Sequence, residues 1–168
     1  MLDPNQSSPY SLTNLIDLPL SRIGCACDLL WMQFGALTEL TNRDGSKRLV
    51  GELTLHVDVP WRFRNHSKIL IGNRDLHWYP NGESYDFDKG GDSRFHVFAN
   101  EYAVKMAAEE WSVASIADDT TGSFTLNFTG DLIFDAMPNV AHSSPGFEFW
   151  RLFSPVEDGK HFVSQTDA

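Results

Sequence analysis

Apolar and polar residues alternate with period two along most of the chain from residue 22 onward, so the sequence predicts short strands joined by turns. Ile23, Cys25, Cys27, Leu29 and Trp31 fall on one side of such a repeat, and Gly24, Ala26, Asp28, Leu30 and Met32 on the other. That pattern predicts a strand with at least one buried face. Asn42-Arg43-Asp44-Gly45 reads as a turn. Leu53, Leu55, Val57 and Val59 then alternate with Thr54, His56 and Asp58 until Pro60, which has no N–H to give to a ladder. Trp61-Arg62-Phe63 resumes extended structure, Asn65-His66-Ser67 turns, and residues 68–72 form a further strand. Between 93 and 108 the period changes to that of a helix, with Phe95, Phe98, Tyr102 and Met106 on one side and Ser93 at the N-cap position. Alternation returns over 110–117, and 123–128 pairs with 131–136 across Thr129-Gly130 as a tight hairpin. Residues 147–153 and 161–164 complete the set, with Glu157-Asp158-Gly159 as the turn between them.

The chain repeats itself. Trp61-Arg62-Phe63 is echoed by Trp150-Arg151-Leu152, and each is followed by a short apolar strand. Upstream, Trp31-Met32-Gln33-Phe34-Gly35 is matched by Leu126-Asn127-Phe128-Thr129-Gly130. The expected fold class is α+β and predominantly antiparallel β: two related β-meanders, or a partly open barrel, with one mid-chain helix. Residues 1–21 read as an N-terminal arm that packs through Tyr10, Leu12 or Leu15. Residues 22–168 read as one β-rich domain, with halves 22–78 and 109–165 joined by the loop and helix of 79–108.

Composition narrows the possible partners. The net charge is −10, and it is uneven: residues 1–84 carry 8 basic and 9 acidic side chains, whereas residues 85–168 carry 5 and 14. An acidic second half repels phosphate and anionic headgroups, so neither nucleic acid nor membrane is an expected partner. The only basic patch, Arg62, Arg64, Lys68 and Arg74, reads as a solvated face. No apolar run approaches the ~18 residues of a membrane span. Cys25 and Cys27 stand too far apart along a strand to favour a mutual disulfide. A reducing, cytoplasmic setting is the expectation.

Recognisable catalytic spellings are missing: no Gly-x-Ser-x-Gly, no phosphate-binding glycine loop, no His-Glu-x-x-His and no Cys-x-x-Cys. No cofactor, no metal and no catalytic residue is therefore assigned. Candidate binding residues are His56 and Asp58, two apart on one strand face; the Trp61-Arg62 and Trp150-Arg151 steps, which combine indole area with planar charge; and Arg74-Asp75. The Trp-Arg steps have a plainer reading in which each Trp faces the core and each Arg faces out. Asp75 is expected to reach back to Arg62 as an ion pair that sets the register.

Leu55-His56-Val57-Asp58-Val59-Pro60-Trp61-Arg62-Phe63, followed by Ile69-Leu70-Ile71-Gly72-Asn73-Arg74-Asp75-Leu76, resembles a family of small uncharacterised bacterial proteins with a Pro-Trp-Arg element and then a Gly-x-x-Asp element. The similarity covers most of the chain past residue 25 and implies no activity. By analogy of build alone, small acidic proteins of this kind resemble immunity proteins of bacterial toxin systems. The leading expectation is a non-enzymatic interaction module that engages a protein partner, or itself, through its acidic half. The alternative is a small-molecule-binding or hydrolase-like protein with an aromatic-lined pocket.

Overall fold

The computed structural model describes residues 10–79, 93–109, 111–140, 147–157 and 161–165. The strands among them are β1 (Leu20–Ala26), β2 (Leu29–Phe34), β3 (Thr38–Thr41), β4 (Lys47–Val50), β5 (Leu53–Val57), β6 (Trp61–Arg64), β7 (Ile69–Gly72), β8 (Val113–Asp118), β9 (Phe124–Phe128), β10 (Ile133–Ala136), β11 (Glu148–Phe153) and β12 (Phe162–Gln165). The helix α1 spans Arg94–Glu109, and 3-10 turns occupy Leu12–Leu15 and Asn73–His77. The fold is α+β and β-rich, and its sheets are open, so the barrel alternative does not apply.

Sheet I has the order β1-β2-β5-β11-β12 and sheet II the order β8-β9-β10-β6-β7, with every pairing antiparallel. Each sheet therefore joins a three-stranded meander from one half of the chain to a hairpin from the other. Pro60 marks one crossing. β5 belongs to sheet I, and β6, which begins at Trp61, lies in sheet II.

The hydrogen bonds repeat under a two-fold exchange of the halves. Leu20 N donates to Trp111 O at 2.9 Å, and Val113 N to Leu18 O at 3.1 Å, around the bridge between Pro19 and Ser112. Gly35 N donates to Pro19 O as Thr129 N does to Ser112 O, both at 2.9 Å. Asp58 N donates to Phe149 O at 2.9 Å, and Met137 N to Pro60 O at 2.8 Å. Register irregularities fall after the matching residues Leu20 and Val113. These pairings place Trp61 and Trp150 at equivalent positions, opposite Ala136 and Val57. They also align Met32-Gln33-Phe34 with Leu126-Asn127-Phe128, one residue away from the alignment that the glycines suggested.

One apolar cluster fills the space fed by both inner faces, including Leu30, Met32 and Phe34 of β2, Leu55 and Val57 of β5, Phe63 of β6, Leu126 of β9, Phe134 of β10 and Leu152 of β11. Both indoles are buried, as the plainer reading of the Trp-Arg steps expects. Trp150 packs edge-on to Phe124, 5.2 Å between centroids, and its Nε1 donates to Gly122 O at 2.8 Å. Trp61 stacks on Phe134 and meets Phe63 and Phe95 edge-on, and its Nε1 is buried without a partner. α1 lies against β1 of sheet I and β7 of sheet II, with Phe95 and Phe98 buried.

Three elements differ from the sequence expectation. The repeat through Cys27 is broken by a turn in which Cys27 takes φ +54, so Cys25 and Cys27 do not share a strand. The turn at 42–45 proves to be the tip of a hairpin, β3–β4, that the weak alternation of 38–50 concealed; Gly45 takes φ +82 there. Leu20 and Ser21, placed in the arm, open β1, and Leu12 and Leu15 of the preceding turn are buried.

Because each sheet draws strands from both halves, urea should unfold the protein in one transition, with fluorescence and circular dichroism superimposing. Phe134→Ala should lower stability by about 3 to 5 kcal/mol and Leu55→Ala by about 2 to 5 kcal/mol. Both should keep that single transition; two separated transitions would contradict the interleaved core.

Candidate functional site

The outer faces of the two sheets carry equivalent rows of side chains, and the differences between them locate the site. On sheet II one row runs Ala117, Thr125, Asp135, Arg62 and Gly72 across five paired strands. Asp135 is 5% exposed and fully engaged. Arg62 Nε and Arg64 Nε each donate to Oδ2 at 2.7 Å, and Thr125 Oγ1 donates to Oδ1 at 2.9 Å. Burial alone would raise its carboxyl's pKa, but these donors outweigh it and hold it below the ordinary value. The carboxylate of this face is satisfied entirely by its own neighbours.

The equivalent row on sheet I runs Gly24, Trp31, His56, Arg151 and Val163, and the next runs Arg22, Gln33, Thr54 and Phe153. Gly24 leaves room for the Trp31 indole; a Cβ there would stand 2.0 Å from Trp31 Cζ2. The Arg22 guanidinium lies over that indole, 5.6 Å from its centroid, and Arg22 Nη1 donates to Leu49 O at 2.6 Å, tying the β3–β4 hairpin to the sheet. Nothing comparable to this hairpin is inserted between β9 and β10, where Phe128 N donates to Leu132 O in a tight turn.

Under the hairpin is a cleft of about 410 Å³ lined by Arg22, Trp31, Gln33, Thr54, His56 and Phe153, with Arg48, Leu49, Val50 and Pro155. Gln33 and Thr54 are cross-strand neighbours, 8% and 4% exposed, and Gln33 Oε1 and Thr54 Oγ1 are buried with no partner. Such atoms cost about 1–3 kcal/mol each when left unpaired. Among the described residues no carboxylate lines this cleft, although the chain has 23 acidic residues and 13 basic ones. The rim is cationic and the wall aromatic.

His56 is half-buried, with its ring edge-on to Phe153 at 4.9 Å. Burial first, and the Arg151 charge next, depress its pKa, so the imidazole is neutral at pH 7 and presents one donor and one acceptor. Arg151 turns instead to Glu148, which accepts from both Nε and Nη2.

Of the sequence candidates, His56 and Arg151 share this face. Asp58 is exposed just past β5, its pKa raised by partial desolvation and then by Glu148 and Asp28. Trp61 and Trp150 are core residues, and Arg62 belongs to the Asp135 cluster of the opposite sheet. The expected Arg62–Asp75 pair is not formed. Asp75 lies in a 3-10 turn where Oδ2 accepts Gly72 N at 2.8 Å, and Arg94 is its cationic neighbour at 3.7 Å; Arg74 is exposed. Asp135, on the adjacent strand, supplied the nearer carboxylate. Sequence reasoning missed Arg22, Trp31, Gln33, Arg48 and Thr54. Gln33, a polar residue inside Trp31-Met32-Gln33-Phe34, was the available signal.

A second group, Cys25 Sγ 4.0 Å from His96 Nε2 with His96 Nδ1 2.8 Å from Ser93 Oγ, has the outline of a thiol with a base. Burial first, and Cys27 next, raise the thiol's pKa, which favours the protonated and unreactive form. Among the described residues no group of three or more His, Cys, Asp or Glu is placed to hold a metal, and no helix is long and apolar enough to cross a membrane. No family model, curated protein or solved structure matches the chain.

The pH response follows from the depressed imidazoles. His56 and His161 both bind protons less readily in the fold, His161 through desolvation and then Arg151. The unfolded chain takes up these protons near pH 6.5, so stability should fall as the pH drops from about 7 towards 5. Asp58 acts oppositely, gaining its proton more readily in the fold, at lower pH. Melting temperatures measured across this range should show a shallower decline for His56→Gln than for the parent.

Proposed function

We propose that the protein is a non-catalytic binding module whose recognition site is the cleft on sheet I beneath the β3–β4 hairpin, and that its ligand is a small planar anion. The observation that carries this reading is the pair of unpartnered, buried polar atoms on Gln33 and Thr54 inside a cationic cleft with no carboxylate among its described lining residues. The equivalent face of sheet II has its central polar group saturated by Arg62, Arg64 and Thr125. The positions that match Gln33 and Thr54 on sheet II are Asn127, whose Nδ2 donates to Ser115 Oγ, and the apolar Ile133, so the unpartnered pair belongs to sheet I alone and fits a face kept for a ligand.

The lining suggests how the ligand is held. A ring stacks against the Trp31, His56 and Phe153 wall. Its anionic substituent lies towards Arg22 and Arg48. A polar ring edge meets Gln33 and Thr54 once small side-chain rotations bring their atoms to the surface of the cleft. Cleft volume and the mix of apolar wall with few polar groups suit a ligand of small-metabolite size.

Titration with benzoate, orotate and adenosine monophosphate, followed by tryptophan fluorescence and calorimetry, tests the reading. At least one should bind, and Arg48→Ala, an exposed change, should weaken it about 3- to 10-fold. Gly24→Ala should abolish binding by displacing the Trp31 indole, while circular dichroism stays native. Failure of all three anions, or affinities indifferent to both substitutions, would remove the proposal. Recognition of a protein partner by the acidic half has separate support at the opposite edge of the molecule.

A further inference from the structure

The two-fold relation between the halves is broken where edge strands of the two sheets approach each other. β1 and β7 are the edges on one side, and α1 lies against both. On that seam Trp61 meets Phe95 at 5.8 Å, Phe63 meets Phe98 at 5.5 Å, and His96 Nε2 stands 4.0 Å from Cys25 Sγ. The helix therefore sets two aromatic rings into the seam and an imidazole over position 25. Ile71 beneath it is 1% exposed.

The equivalent edges are β8 and β12. Between them is a cleft of about 500 Å³ floored by Ile116, Trp150 and Phe162 and walled on one side by Leu12 and Ile16 at the 3-10 turn of Leu12–Leu15, with no α-helix over it among the described residues. Strand registers fix the correspondence: Ile116 answers to Ile23, Asp118 to Cys25, Trp150 to Trp61 and Phe162 to Ile71. Phe162 is only partly buried, and Ile16 at the margin is 40% exposed.

Charge separates the two seams. Among the described residues, the charged ones lining the cleft are Asp118 and Asp119, both acidic. Asp119 Oδ1 is occupied by Thr121 and Ser123 within its own turn. Asp118 is exposed and stands where Cys25 faces His96 on the covered side.

We propose that the β8–β12 cleft docks an amphipathic helix of a partner protein, seated as α1 is seated on β1 and β7, with a cationic side chain at the position of His96 set against Asp118. Two aromatic or large aliphatic residues on the turn around that cation enter the floor between Ile116 and Phe162. This site is separate from the cleft on sheet I and does not depend on it. A basic helix suits the net −9 of residues 85–168.

The test uses the full chain and two fluorescein-labelled synthetic peptides, residues 94–109 as they stand and the same peptide with His96→Arg. Anisotropy at pH 7.5 should show binding of both, with the Arg peptide about fivefold tighter, as an exposed ion pair allows. Asp118→Asn should remove that difference while leaving the His peptide unchanged, and raised salt should act like the mutation. Ile116→Arg should abolish both interactions. Asp118 is exposed, so its variant keeps the test decisive even if Ile116→Arg fails to fold. Absence of binding, or equal binding to parent and Asp118→Asn by both peptides, overturns the proposal. Sedimentation of the chain alone covers the other occupant: a dimer dissolved by Ile116→Arg would assign the cleft to a second copy and refute the partner helix.

Discussion

The structure depends on two exchanged ladders, β5 with β11 and β10 with β6. A three-stranded meander has one apolar face to bury and one open edge to cover, and neither half of this chain does both alone. β5 has β2 from its own half on one side and β11 from the other half on its other side. β10 is placed identically between β9 and β6. Trp61 and Trp150 sit where these exchanged strands begin their pairing, opposite Ala136 and Val57, and bring large apolar surface to the centre of the molecule. The exchange converts two unstable ribbons into sheets of sufficient width, with one shared core.

Duplication supplies a scaffold, and departures from it supply chemistry. At the position opposite the conserved geometry of Arg62 and Arg151, sheet II has Asp135 and sheet I has His56. A buried carboxylate demands donors, and Arg62, Arg64 and Thr125 meet that demand so completely that the face is consumed by its own ion pairs. A neutral imidazole makes no such demand. Arg151 is then taken by Glu148, and the neighbouring Gln33 Oε1 and Thr54 Oγ1 remain unpartnered beneath a hairpin that has no counterpart in the other half. The helix is the second departure, covering one seam where, among the described residues, its equivalent has only the short 3-10 turn of Leu12–Leu15.

Much of the scaffold was legible along the chain because alternation reports directly on burial. The strand of Leu53, Leu55 and Val57, which ends before the expected Val59 and Pro60, the 124–136 hairpin and the helix from 94 to 109 all follow from local periodicity and turn chemistry. The repeated Trp-Arg step was visible too. Its alignment with the upstream segment slipped by one because two glycines matched in spelling but not in register: Gly35 corresponds to Thr129, and Gly130 lies in the turn beyond. The β3–β4 hairpin escaped notice since its strands are exposed at six of eight positions and so lack a buried face to alternate against. Cys27 continued an apparent strand because a turn residue with positive φ leaves no mark on an apolar-polar pattern.

The site was less legible, for a related reason. Periodicity tells which face a residue occupies, and it correctly put His56 outside, but a site depends on which outside residues become neighbours. Arg22, Gln33, Thr54 and Phe153 come from four strands of sheet I, and only their register places them in one row. Arg62 illustrates the same limit: its candidate partner in sequence was Asp75, whereas the sheet order brought Asp135 to the adjacent strand. The sequence by itself determined most of the strands, the helix, the duplicated motif and the acidity of the second half, all of which are local sums over neighbouring residues. Only the tertiary structure decided which half completes which sheet, which carboxylate meets which arginine and where polar groups stay unpaired, because those outcomes are set by contacts between residues far apart in the chain.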